Sequence, residues 1–389
     1  MEPHAEPENR RLKRAIISRI RQRGRIPFWE FMNLCLYHPS YGYYNSNREK
    51  IGKAGDYYTS PCVHPLFGQL IAKQIEQMWV LMGEKSGFRI VEFGSGKGFL
   101  CHDILCYLRR ESLGFFRSLS YQMVETSPFF RREGENLLSE NGFGEKVQWV
   151  IPREVESENF RIQGCILSNE LIDSFPVHLV TLKDDHLREI FVIHRDGHFC
   201  EEIGEVSSTE LEYHFEKLGV VLDEGQRAEV NLMALDWMEM VSRILTKGFV
   251  LTIDYGYEAE RLYSPLRRNG TLLCYYGHTW NDNPYERMGL QDITSHVDFT
   301  SLMKKGEEMG LRRTGFTTQY RFLIGLGFLK EAQRLMGKNQ SSLEGIKNRL
   351  AMKTLILPDG GMGDMFKVLV QHKGLDNPQL DGLRDMVTF

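Results

Sequence analysis

The chain has 389 residues, long enough for one large domain or two ordinary ones. Its 42% hydrophobic, 26% charged and 11% aromatic residues exclude a disordered or fibrous chain. A net charge of −4 and a pI near 6.3 give no global reason to expect a nucleic-acid partner. No stretch reaches the ~18 apolar residues of a membrane span, and the acidic start "MEPHAEPENR" suits neither a signal peptide nor a mitochondrial presequence. Seven scattered cysteines without a C-x-x-C pair read as reduced thiols, with no disulfide framework and no metal site. A cytoplasmic location is the expectation, or the mitochondrial matrix if a presequence has been removed.

In chain order, "RRLKRAIISRIRQRGR" (10–25) is half basic, yet Leu12, Ile16, Ile17 and Ile20 recur at helical spacing, which predicts a surface helix with a solvated basic face. A loop over 37–61, dense in Tyr, Gly, Asn and Ser, follows, and Leu66, Leu70, Ile71, Ile75, Met78 and Trp79 then mark another helix. From residue 88 strands and helices alternate, the pattern of a parallel α/β sheet. The predicted strands are "FRIVEF" (88–93), "YQMV" (121–124), "VQWV" (147–150), "CILS" (165–168), "FVLTIDY" (249–255) and "FKVLVQH" (366–372). Two or three further strands in 178–206 and helices to about 247 form an insertion between the fourth and fifth. A Gly-, Asn- and Tyr-rich loop follows 255, then a helix in "VDFTSLMKKGEEMG" and more helix over 320–353. The domain division expected is an N-terminal helical and loop segment (1–85), a core (86–177 and 248–389) and an α+β insertion for substrate or partner (178–247).

In an open parallel sheet the turn after the first strand is the first place to look for a ligand. That turn, "VEFGSGKGF", carries Gly94, Gly96 and Gly98, which allow close backbone approach, ahead of a helix N-terminus that favours anions. A P-loop is ruled out because Gly98 follows Lys97, and a dinucleotide fingerprint is weakened because Phe99 stands where the third glycine belongs. What remains, Glu92 two residues before G-x-G-x-G, resembles the first motif of S-adenosylmethionine-dependent methyltransferases. There the turn, including Ser95, lines the methionine portion and the acid helps to hold its amino group. Glu125 ends the second strand, where a carboxylate accepts two hydrogen bonds from a ribose diol. Thr126 is read with it as a cofactor-binding position.

With these elements in place the chain resembles the MidA family of class I methyltransferases. The resemblance rests on "FMNLCLYHPSYGYY" (31–44), "GDYYTSP" (55–61), "VEFGSGKG" (91–98), "SNELIDSFPV" (168–177), "IDYGY" (253–257), "GTLLCYYGH" (270–278), "DITSHVDF" (292–299), "TTQYRFL" (317–323) and "MGDMFKVL" (362–369). Phe99 and Ser95 depart from the small or proline-containing variants more usual around the turn. The resemblance implies a Rossmann-like seven-stranded methyltransferase sheet, S-adenosyl-L-methionine as cofactor, and a protein arginine as acceptor. It is the family's mitochondrial members that act on a protein arginine and assist assembly of respiratory complex I; a complex I subunit and a second copy of the chain are among the expected partners.

Alkylation of a guanidinium, whose pKa exceeds ~12, needs carboxylates to hold the cation in plane and orient one nitrogen. The candidates are Glu170 and Asp173, with Asn169 as an orienting amide. The rival for Glu170 is a cap on a helix beginning near Leu171, and for Asp173 the dipole of that helix. Asp56 in "GDYYTSP" is expected to fold over the cofactor, with Tyr57 and Tyr58 as walls. His296 and Asp298 read either as a base and its orienter or, preferably, with Asp298 as a helix cap. Two other functions stay open, an assembly chaperone that retains the cofactor site and a small-molecule methyltransferase. A nicotinamide oxidoreductase is disfavoured by Phe99.

Overall fold

The computed structural model describes residues 9–336, 342–358 and 360–384; the acidic start up to residue 8, and the interval 337–341 within the predicted C-terminal helical region, lie outside them. The chain forms two compact units. One takes the described residues of Tyr58–Leu171, Met238–Tyr255 and Met303–Phe389, and the other those of Met1–Tyr57, Ile172–Trp237 and Gly256–Leu302.

The first unit is built on a mainly parallel sheet. Its strands are β1 (Arg89–Phe93), β2 (Ser120–Val124), β3 (Val147–Val150), β4 (Ile162–Asn169), β5 (Leu245–Tyr257), β6 (Arg312–Thr318) and β7 (Phe366–Lys373), in the order β6-β7-β5-β4-β1-β2-β3. Only β7 runs against its neighbours. A two-residue strand, Val297–Asp298, pairs with Gly256 and Tyr257, the last residues of β5, and these four residues belong to the second unit. The central strands are apolar on both faces, as parallel strands covered on both sides must be. Ile90, Cys165, Leu167, Phe249, Leu251 and Val368 pack with Phe67, Leu70, Ile71, Ile104 and Leu108. Those helical residues belong to α1 (Leu66–Leu81) and α2 (Phe99–Glu111). Residues 58–85, grouped by sequence texture with the N-terminal segment, therefore lie with the sheet, because α1 buries its apolar stripe there.

β6 was not predicted from the sequence. "RRTGFTT" is polar and lies at the sheet edge with no fully buried side chain, so it carries no alternating signal. The further helix expected over 320–353 comprises, among the described residues, Gln319–Gly325, Phe328–Met336 and Leu343–Ile356.

In the second unit the strands His178–Lys183, His186–Arg195, His198–Gly204 and Arg227–Val230 make an antiparallel sheet. The N-terminal segment joins it through Ile26 and Pro27, opposite Val192 and Phe191. The basic helix Arg10–Arg23 buries Leu12, Ile16 and Ile20, and Asn9 caps its start. The loop expected after 255 contains a three-stranded sheet of Leu273–Tyr276, Thr279–Asn281 and Asp292–Thr294. Leu12, Ile16, Phe28, Phe31, Leu179, Val192, Cys274 and Ile293 share one core.

Strand spacing in the parallel sheet leaves no room at Gly164, opposite Arg89. A Cβ there would lie 2.0 Å from the Arg89 carbonyl oxygen, and the residue sits at φ +148°. Gly164→Ala is expected to cost roughly 3 kcal/mol or more. Urea unfolding checks this, and an unchanged midpoint would refute the packing argument.

Candidate active site

The strand order reverses direction between β1 and β4, which defines the crevice at the carboxyl ends of the strands. β1 ends at Phe93, and Gly94, Gly96 and Gly98 follow with φ values of +67°, +52° and +76°. The turn is closed by Gly94 N–H donating to the Val124 carbonyl (2.9 Å) and Gly98 N–H to that of Ser95 (2.9 Å). The left-handed φ favours glycine at position 94, and a Cβ there would lie 2.7 Å from Leu171 Cδ1, a side-chain tip that would have to shift. α2 begins directly after, at Phe99.

Two acids flank this turn. Glu125 follows β2 and accepts from Gly96 N–H (2.9 Å) and Ser127 N–H (2.7 Å), which fixes it beside the glycines. Thr126 next to it is exposed. Glu92 is buried in β1 and accepts from the Tyr121 hydroxyl at 2.6 Å. Burial pushes its carboxyl up to about 8; the nearby Glu125 adds to the rise and the Tyr121 hydrogen bond opposes it. Tyr121 went unnoticed in the sequence because it reads as an ordinary strand aromatic.

At the end of β4, Glu170 adopts a left-handed backbone with φ +52°. Its N–H donates to the Ile253 carbonyl (2.9 Å), and its Oε1 accepts from Ser60 N–H (2.8 Å) and Asn169 Nδ2 (3.1 Å). No α-helix begins near Leu171; the chain makes one short 3-10 turn, Ile172–Ser174. Glu170 therefore does not cap a following helix, and its carboxylate meets the first turn of Ser60–Val63 instead. The Ser60 contact left no trace in the sequence because it is made by a backbone amide.

Asp173 and Asp56 belong to the other unit. Asp173 is buried in the 3-10 turn, and its carbonyl accepts from Ser295 N–H at 2.9 Å. Asp56 accepts from the Tyr43 hydroxyl (2.7 Å) and Gly277 N–H (2.8 Å) and pairs with Arg48. In that same unit Asp292, not singled out in the sequence, is buried and accepts from the Tyr44 hydroxyl at 2.8 Å. Burial first, and the charge of Asp173 second, push its carboxyl up to about 8. Asp298 caps the helix starting at Phe299, accepting from Thr300 N–H (3.0 Å) and Ser301 N–H (3.2 Å).

The first unit thus gathers Glu92, the glycine turn, Glu125, Asn169 and Glu170. Ser95 Oγ and Asn169 Oδ1 are buried there with no hydrogen-bond partner among the described residues. A close-approach backbone turn, orphaned polar atoms and two acids form a donor and acceptor set that fits an amino-acid-bearing nucleoside. Among the described residues no cluster of three or more His, Cys, Asp or Glu is arranged to hold a metal.

Comparison with known proteins agrees with this geometry. The Methyltransf_28 family model, which describes S-adenosyl-L-methionine-dependent methyltransferases, matches residues 70–317. The chain belongs to this family. It is an S-adenosylmethionine-dependent methyltransferase, with S-adenosylmethionine as its cofactor. A Burkholderia thailandensis protein solved with S-adenosyl-homocysteine bound is 29% identical, with a TM-score of 0.86 over 96% of this chain and 94% of that one. Among curated relatives, the Caenorhabditis elegans "Protein arginine methyltransferase NDUFAF7 homolog, mitochondrial" is 27% identical over 86% of this chain and 80% of its own length. The Homo sapiens "Protein arginine methyltransferase NDUFAF7, mitochondrial" is 26% identical over 93% of this chain and 84% of its own. The expectation of a cytoplasmic protein is corrected by these relatives, which carry mitochondrial names. Reduced cysteines do not discriminate the two compartments.

Because the folded Glu92 carboxyl stands at about 8 against an ordinary 4.5, its contribution to stability is full below 4.5 and is lost as pH rises through 8. Glu92→Gln is therefore expected to match the parent's melting temperature near pH 4.5 and exceed it above pH 8, without added cofactor. A parallel pH dependence in the two proteins would refute a buried, uncharged Glu92.

Proposed function

We propose that this methyltransferase acts on a protein arginine side chain, with a subunit of respiratory complex I as the acceptor. The observation that carries the proposal is the Glu170 carboxylate, held by Ser60 N–H and Asn169 Nδ2 at the carboxyl end of β4, beside the glycine turn. The arginine methyltransferase names of relatives spanning most of the chain support the choice of acceptor.

In this reading Gly94, Ser95, Gly96 and Gly98 line the methionine portion of the cofactor, Glu92 faces its amino group, and Glu125 with Thr126 takes the ribose hydroxyls. Bound S-adenosylmethionine supplies a methyl group on a sulfonium sulfur, open to in-line displacement. Glu170 accepts hydrogen bonds from the guanidinium, which arrives as a cation. Paired with Asn169, it holds the guanidinium plane and turns one nitrogen toward the methyl carbon, and a Glu170 carboxylate oxygen takes up the proton that this nitrogen loses. The glycine turn and Leu171 exclude water from the approach.

Separating the two acids tests the assignment. Glu125→Ala is expected to weaken S-adenosylhomocysteine binding by roughly tenfold or more in calorimetry, the loss of two charge-assisted hydrogen bonds. Glu170→Ala is expected to leave that binding within about twofold and to lower methyl transfer at least ~100-fold. Transfer is read with tritiated S-adenosylmethionine in a lysate from a strain lacking this gene, followed by mass spectrometry of the labelled product. A fully active Glu170→Ala protein would overturn the clamp, and label in small molecules alone would overturn the protein acceptor.

A further inference from the structure

We infer that Asp254, on β5, is a positioning residue that sets the geometry of Glu170. The inference rests on the proposal that Glu170 holds the acceptor. Asp254 is 1% exposed. Its Oδ2 accepts from Leu171 N–H at 3.2 Å, and its Oδ1 accepts from Tyr255 N–H at 2.9 Å.

The two amides that bracket the Glu170 Cα are thus tied to consecutive residues of β5. Glu170 N–H goes to the backbone carbonyl of Ile253, and Leu171 N–H goes to the side chain of Asp254. The first tie extends the β4–β5 ladder, where Asn169 stands opposite Ile253, and any residue at 253 would supply it. The second needs a carboxylate at 254.

The backbone at Glu170 explains why a second tie is required. A non-glycine residue at φ +52° sits in a sparsely populated, strained region of backbone space. Without an anchor on both sides it would relax to negative φ, and the carboxylate would swing away from Ser60 N–H and Asn169 Nδ2. The Tyr255 bond presets the Asp254 rotamer, so its other oxygen is already aimed at Leu171. Leu171 in turn lies against Gly94, so the same anchor holds the acceptor turn at a fixed distance from the glycine turn.

A merely structural acid would lower stability and cofactor affinity along with the rate. A positioning residue lowers the rate at saturating S-adenosylmethionine and leaves cofactor affinity alone. Asp254→Asn keeps the volume and one carbonyl acceptor, and Asp254→Ala removes both. Misplacement of Glu170 by about 1 Å predicts that Asp254→Ala lowers tritium transfer by roughly 10–100-fold, with S-adenosylhomocysteine affinity within about threefold, and that Asp254→Asn falls between. In a Glu170→Ala background, Asp254→Asn is expected to cost nothing further, which keeps the test decisive even if the alanine variant fails to fold. A fully active Asp254→Asn protein alongside an inactive Glu170→Ala protein would overturn the positioning role and leave the clamp standing. Full activity of Glu170→Ala would overturn the clamp and this inference with it. Parallel losses of rate and cofactor affinity in Asp254→Asn would show the acid to be structural, overturning the inference.

Discussion

The contact on which the site depends is the seating of Leu171 on Gly94. β4 leaves the sheet at Glu170, and the next side chain closes to within 2.7 Å of where a Cβ at position 94 would stand. That proximity packs the exit of β4 against the start of the glycine turn, where the positive φ favours glycine. Neighbouring register does the rest, with Phe93 opposite Ser168 and Asn169 opposite Ile253. The glycine turn and the exit of β4 are therefore one packed object, and an alteration in either is felt in the other.

Strain at Glu170 follows from the same constraint. A glycine would adopt φ +52° at little cost but would carry no carboxylate, whereas glutamate keeps the carboxylate and needs outside support for its backbone. The support comes from Ile253, Asp254 and Ser60, drawn from two distant stretches of chain. The two cofactor-side acids are treated differently. Glu125 faces two backbone N–H groups, while Glu92 is buried against Tyr121 and held uncharged near neutral pH. A cation placed beside Glu92 draws it back to the ionised form, so this acid favours a positively charged ligand group without carrying an unpaired buried charge in its absence.

Much of this was legible in the sequence where the signal is local. The apolar runs gave the central strands within a few residues, the glycines at 94, 96 and 98 marked the turn, and the change from Leu167 to Asn169 marked the mouth of the crevice. Asp298 read correctly as a cap because a cap is a local pattern. What escaped depends on partners far along the chain. Tyr121 meets Glu92 across two strands, Ser60 offers only its backbone, and Asp254 looks like any acid closing a strand until Leu171 is beside it. The segment after Glu170 misled for a related reason. Its acid and apolar spacing suits a first helical turn, but Pro176 and the strand from His178 leave room for only three residues of 3-10 helix.

The tyrosine-rich loop shows the same principle in the second unit. Such a loop has high conformational entropy to lose, and apolar burial alone cannot order groups that carry hydroxyls. Here the hydroxyls are matched to acids, Tyr43 to Asp56 and Tyr44 to Asp292, while the fully buried Lys50 donates to the carbonyls of Ser46 (2.7 Å) and Arg48 (2.9 Å). Arg48 joins Asp56 and donates to the Leu290 carbonyl, which ties the loop to the small sheet beyond residue 270. The Tyr43, Lys50 and Arg48–Asp56 bonds close within the loop itself, and those from Tyr44 to Asp292 and from Arg48 to Leu290 tie it to the segment beyond residue 270. Buried polar pairing thus offsets the entropy of ordering this loop, a cost met on folding.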